Sequence, residues 1–208
     1  MNRNDPCLKE ESTPSLFQTL QYQAFRKGLT ARTAESRAWF REKIKEMGGV
    51  NRSRLLDDAA LHRVNAPLVG SMFMYVYDPK HKKTLPYYDR FPLIFMVDSA
   101  PGGFYGMNLH YLAPVLRAKL FDKLLETKNT RGIDDSTKLK LSYGILKSTT
   151  KFSAFRPTFK HYLTDHVKSK IVMVPAPEWE IAIFLPTQQF EKQTDRYVWA
   201  RSTLGKAF

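Results

Sequence analysis

A chain of 208 residues suits one compact domain with appendages, or two small domains. With 43% apolar and 13% aromatic residues it can bury a core, which excludes an intrinsically disordered protein. Lys and Arg number 33 against 20 Asp and Glu, and this net charge of +13 points to nucleic acid, an anionic membrane surface or an acidic protein assembly as partner. The single cysteine, Cys7, excludes an internal disulfide and a cysteine-built zinc site within one chain. No apolar run reaches the ~18–20 residues of a membrane-spanning helix. The first residues, MNRNDPCLKEESTP, lack the apolar stretch of a signal peptide, so the chain is expected to be intracellular when made.

Residues 1–14 are polar, contain Pro6 and Pro14, and read as a flexible arm. Leu16, Leu20, Tyr22 and Phe25 then recur near helical spacing, with Ser15 as cap and Gly28 as stop. A second helix follows, capped by Thr30 or Thr33 and stopped by Gly48-Gly49. Its apolar positions, Ala34, Ala38, Trp39, Ile44 and Met47, are sparse, and Arg37, Arg41 and Lys45 recur every four residues along one side. That pattern predicts docking on a neighbouring chain through those three cations. A short helix should follow and end near Pro67.

From Gly70 the period changes. SMFMYVYD is apolar on both alternations, as in a strand covered on both faces. PLIFMVDS and FYGMNLHYL read as two more strands, turned by Pro101-Gly102-Gly103. Between the first two, Pro86 and Pro92 hold their preceding residues extended and present Tyr87-Tyr88-Asp89-Arg90 as a stiff loop. There Tyr87, Tyr88 and Phe91 should plug one end of the sheet, while Lys80, Lys82 and Lys83 face a partner. Adjacent Asp89 and Arg90 should point apart and pair with different groups. Pro114 opens a helix striped by Val115, Leu116, Leu120, Leu124 and Leu125. A further helix is capped by Asp134 or Asp135, and another starts at Pro157, on the spacing of Phe155, Phe159 and Tyr162. Ile181–Leu185 reads as a strand that rejoins the sheet, and Tyr197, Val198 and Trp199 anchor the tail. The fold class is α+β: a small antiparallel meander, with barrel-like closure as a variant, and helices before and after it. The segments are a flexible arm at 1–14, interaction helices at 15–66, an α+β core at 67–190 and a tail at 191–208.

Signatures of common enzymes are missing. There is no GxxxxGK[ST] loop, no GxGxxG after a strand, no GxSxG and no HExxH. The histidines lack metal-ligand spacing, and no cofactor is expected. Asp89, Asp98, Glu178 and Glu180 could meet around a divalent ion, which leaves a metal-dependent nuclease as a minor alternative. Basic residues give the stronger signal. Lys138, Lys140, Lys147, Lys151, Arg156, Lys160, Lys168 and Lys170 are opposed only by Asp165 and interleaved with aromatics. Such a set binds phosphates by releasing counterions, and its contacts should go to the backbone rather than to base edges.

The wording of three blocks adds a resemblance. YDPKHKKTLPYYDRFPLIF, GGFYGMNLHYLAPVLRAKLFDKLL and FKHYLTDHVKSKIVMVPAPEWEIAIFLPTQQF resemble the DNA end protector, or head-completion, family of contractile-tailed bacteriophages (myoviruses). The resemblance implies a non-enzymatic virion protein, made in the host cytoplasm, that shields the packaged DNA terminus near the portal. It implies double-stranded DNA ends and other virion proteins of the portal, neck, tail or baseplate as partners, in a symmetric multi-copy assembly without a membrane. A neck, tail or baseplate component touching only proteins is the alternative.

Overall fold

A computed structural model describes residues 14–30, 33–57, 61–65, 68–129, 144–145, 148–149 and 151–203. The first helix, α1 (Leu16–Arg26), is closed at its start by a reciprocal cap: Ser15 Oγ accepts from the Gln18 amide, and Gln18 Oε1 accepts from the Ser15 amide. Gly28, at φ 71°, ends it. Thr33 caps α2 (Ala34–Glu46) in the same way through Ser36. This second helix does not wait for a neighbouring chain to cover it. Ser36, Phe40 and Ile44 are buried, and the two apolar residues join Phe17, Leu20 and Ala24 of α1 in the main core. The short helix α3 (Arg52–Leu56) follows, capped by Asn51. It ends well before Pro67, because the chain then enters a strand.

The strands are β1 (His62–Val64), β2 (Met72–Met74), β3 (Tyr88–Asp89), β4 (Leu93–Ala100), β5 (Gly103–Asn108), β6 (Phe159–Leu163), β7 (Ile171–Val174) and β8 (Phe190–Glu191). Six of them form one antiparallel sheet in the order β1-β7-β2-β4-β5-β6, while β3 and β8 form a separate two-stranded ribbon. The expected meander is the centre of the sheet, β2-β4-β5. Pro101 and Gly102 make the turn into β5, with Gly102 at φ 70°. Both faces are apolar, as the doubled pattern of β2 requires. Met72, Met74, Leu93, Phe95, Met107, Val172 and Val174 face the helices, including Trp179 and Ile181. Phe73, Tyr75, Ile94, Met96, Phe104 and Tyr162 form a second core on the opposite face.

That second face is covered by the sheet's own curl. The chain leaves β6 at one edge and re-enters as β7 beside β2. On the way the Leu163 amide donates to Tyr77 Oη, Val167 bridges Tyr77, and the Lys168 amide donates to the Val76 carbonyl. The two sides of the sheet thus approach one another without a closed barrel.

Two expected elements are corrected. The segment from Pro157 is not a helix: a 3-10 turn at Arg156–Thr158 leads into β6, with a second 3-10 turn at Thr164–His166. Phe159 and Tyr162, three residues apart, lie on opposite faces of a strand, and pairing with β5 overrides the helical spacing. Ile181–Leu185 is not a strand. Trp179–Ala182 is the short helix α5, and β7 is what rejoins the sheet. The helix expected after Asp134 or Asp135 lies largely outside the described residues. Pro114 opens α4 (Pro114–Asn129), and α6 (Asp195–Thr203) closes the described chain. Val198 is fully buried there, and Trp199 Nε1 donates to the His110 carbonyl.

Candidate nucleic-acid interface

Two basic sets that lie far apart in sequence meet at one corner of the molecule. Asp78 and His166 hold the corner together. The Asp78 amide donates to the His166 carbonyl, and His166 Nδ1 lies 2.7 Å from the Asp78 carbonyl oxygen. Lys82 Nζ hydrogen-bonds both oxygens of the Asp78 carboxylate, at 2.9 and 3.0 Å. That bond holds the Asp78 carboxyl below its ordinary range, and the charges of Lys168 and Arg90 add to the effect. One carboxylate therefore sits in the field of three cations from three segments. Lys80, Lys83 and Lys170 are exposed nearby in sequence.

The ribbon extends this corner. Arg90 Nη1 lies 3.4 Å from Glu191 Oε1, and Tyr88 pairs with Glu191 across β3 and β8. Next along β8, Lys192 takes φ 70°, a left-handed conformation unusual for a residue other than glycine. Its Nζ donates to the carbonyls of Lys83 and Leu85 at 3.0 and 2.7 Å. Lys192 thus staples the lysine loop from a strained backbone position. This role is not legible in the sequence, because nothing local marks a lysine for the left-handed region.

The other sequence-selected cations are dispersed. Lys138, Lys140 and Lys147 lie outside the described residues. Lys151 and Arg156 are exposed on the turns before β6, at the opposite end of that strand from Lys168. Lys160 turns inward, its ammonium 4.4 Å from the centre of the Tyr111 ring. Burial pushes its pKa down to about 8. On α2, Arg37 pairs with Asp122 of α4 and approaches Glu180 at 3.8 Å. Arg41 stands over the Phe184 ring, and the exposed Lys45 pairs with Glu42.

Beneath the corner lies a buried polar network. Asp89, 3% exposed, accepts hydrogen bonds from the Phe91 and Gln189 amides, from Asn108 Nδ2 and from His110 Nδ1. Burial pushes its carboxyl up, but His110 and the surrounding donors outweigh this and hold it below the usual range. Burial holds His110 neutral, its pKa lowered despite Asp89. His110 Nε2 meets Thr187 Oγ1 at 3.1 Å. The order Asp89, His110, Thr187 is that of an acid-base-nucleophile chain. All three residues are buried, His110 completely, and the chain works as a structural lock. It ties β3, the start of β8 and the segment after β5 to one carboxylate. As expected, Asp89 and Arg90 point apart, to His110 and to Glu191. Tyr87 and Phe91 are buried with them, at 6% and 1% exposure.

The four carboxylates of the nuclease alternative do not gather. Asp89 serves the lock, Glu180 accepts from Ser36 Oγ, and Asp98 accepts from the Ser99 amide at the exposed end of β4. Glu178 and Glu180 lie at the start of a helix rather than on one strand face. Among the described residues no group of three His, Cys, Asp or Glu could hold a metal ion. No described helix is long and apolar enough to cross a membrane.

No curated protein and no solved structure matches the chain. A family model does: that of the phage T4 terminal DNA protecting protein matches residues 13–204. It runs through α1 to α6 and so takes in the basic corner and the lock beneath it, and the chain belongs to this family of phage DNA end protectors.

Proposed function

We propose that the protein is a non-enzymatic component of the virion that caps the ends of the packaged duplex at the head–tail junction. It grips the DNA backbone through the corner formed by Lys80, Lys82, Lys83, Arg90, Lys168 and Lys170. The family match supports the DNA end as ligand. The convergence of Lys82, Arg90 and Lys168 on Asp78 is the observation that supports this surface. Cations held on a stapled loop and a paired ribbon lose little freedom when they meet phosphates. Lys151 and Arg156 extend the contact along a longer duplex.

The test is fluorescence anisotropy with a linear duplex. Affinity should fall ~10³-fold or more between 50 and 200 mM salt if several phosphates are contacted. The double charge reversal Lys80→Glu and Lys170→Glu should weaken binding at 50 mM salt by at least about 10-fold, without lowering Tm. No binding of the unaltered protein at low salt overturns the reading.

A second reading, a neck, tail or baseplate protein that contacts only proteins, is favoured by one feature. Tyr22 and Phe25 stand 62% and 77% exposed on the outer side of α1. Aromatic residues so placed suit a protein neighbour in a multi-copy assembly. Labelling the protein in intact particles and finding it away from the DNA exit channel would favour this reading over the first.

A further inference from the structure

Phosphate-binding cations cannot by themselves tell the end of a duplex from its side, because phosphates run along its whole length. What the terminus alone offers is the flat face of its last base pair. A surface that prefers ends therefore needs an exposed, firmly held ring beside its cations.

One ring at the basic corner meets that description. Tyr197, in the first turn of α6, is 42% exposed. It is backed edge-on by the buried Tyr87, with ring centres 6.2 Å apart. Tyr87 in turn packs on Tyr111 and Phe190, so the ring stands on a rigid aromatic base. Arg196 is exposed beside it, and the charge of Arg201 reaches Tyr87. Nearby acids are engaged elsewhere: Asp195 accepts from Gln188 Nε2, and Glu191 faces Arg90. The aromatic base reaches the lysine loop through β8, since Phe190 is followed by Glu191 and by Lys192, which holds the carbonyls of Lys83 and Leu85. Phe152 is more exposed, at 63%, but it sits on the turn before β6, away from this corner.

We infer that Tyr197 reads the DNA end by stacking on the terminal base pair, while the neighbouring cations hold the flanking phosphates. This rests on the DNA-capping function proposed above. It assigns to one side chain the preference for ends, and to the lysine corner only the affinity.

The two are separated by competing a linear blunt duplex against a closed duplex of the same sequence with both ends sealed by hairpin loops. The unaltered protein should prefer the linear form. Tyr197→Ala should lose about 10-fold or more in affinity for the linear form and keep its affinity for the closed form. Tyr197→Phe should retain the preference, and Tyr197→Leu, which keeps apolar bulk without the flat ring, should not. A terminal 2-aminopurine should change its fluorescence on binding, an internal one should not, and Tyr197→Ala should abolish the terminal signal. An end preference that survives in both the Ala and Leu variants overturns the role of Tyr197 and leaves the capping function standing. Failure of the unaltered protein to bind either duplex overturns both.

Discussion

The side chain of Asp89 ties three segments of chain to one carboxylate, and its environment makes stability depend on pH. Four donors surround a carboxylate that is 3% exposed. Asp89→Ala leaves these donors buried without an acceptor and should cost about 3–5 kcal/mol in urea denaturation. Both Asp89 and His110 have folded pKa values below their unfolded ones. Between the two values the unfolded chain binds more protons, so acid favours unfolding. The contribution of Asp89 is present above ~4 and is lost as pH falls through its folded value. The penalty at His110 begins below ~6.5, where the unfolded imidazole takes a proton that the folded one refuses. Tm should therefore hold steady between about pH 7 and pH 8 and fall progressively from pH 6 to pH 4. His110→Gln should flatten the upper part of that decline. Lys160 works in the opposite pH range. Its folded pKa, about 8, lies below that of a free lysine, so the charged form is disfavoured by folding at neutral pH. Lys160→Met should raise Tm at pH 7, and the gain should shrink as pH approaches 10.

Among the elements, β5 is the most tightly constrained. A Cβ on Gly103 would lie 1.8 Å from the Tyr162 carbonyl oxygen, and one on Gly106 would lie 2.7 Å from Ile94 Cδ1. The first clash is with backbone and cannot be relieved by a rotamer change. Gly103→Ala should lower stability at the upper end of the ~1–3 kcal/mol typical of overpacking, seen as a drop in Tm. Elements of this kind differ in how far the sequence reveals them. Helices α1, α2 and α4 announce themselves through Ser15, Thr33 and Pro114, and β4 and β5 through the Pro101-Gly102 turn, because caps and turns are local chemistry. β6 does not, since Phe155, Phe159 and Tyr162 follow a helical spacing, and only pairing with β5 makes that segment a strand. The run Ile181-Ala182-Ile183 looks like a strand for its β-branched content, yet it follows directly on the helix start at Trp179. The lock was illegible for another reason: its members are separated by 21 and 77 positions. The basic corner was half legible. Lys80, Lys82, Lys83, Lys168 and Lys170 are visible as two separate runs, and the meeting of Lys82 and Lys168 at Asp78 depends on the crossing from β6 to β7.

At the scale of the whole molecule, +13 overstates the charge that faces outward. Arg117, 2% exposed, gives its guanidinium to the carbonyls of Leu112, Ile183 and His110. Arg52 binds the carbonyls of Thr187 and Gln188. Arg37 is taken up by Asp122, Lys160 by the Tyr111 ring, and Lys192 by the lysine loop. These cations act as internal ties, each satisfying carbonyls, a carboxylate or a ring that the fold would otherwise leave bare.

The staple at Lys192 gives this a measurable form. Its exposed ammonium gives hydrogen bonds to the carbonyls of Lys83 and Leu85, so it fixes the curvature of the loop rather than neutralising a phosphate. The dependence of log K on log salt counts only displaced ions, about 0.9 per phosphate neutralised. With the six cations of the corner alone the slope should be about −5, and steeper on a duplex long enough to reach Lys151 and Arg156. Lys192→Met should leave that slope nearly unchanged while weakening binding at every salt concentration, the signature of a residue that shapes the lattice of charges without belonging to it.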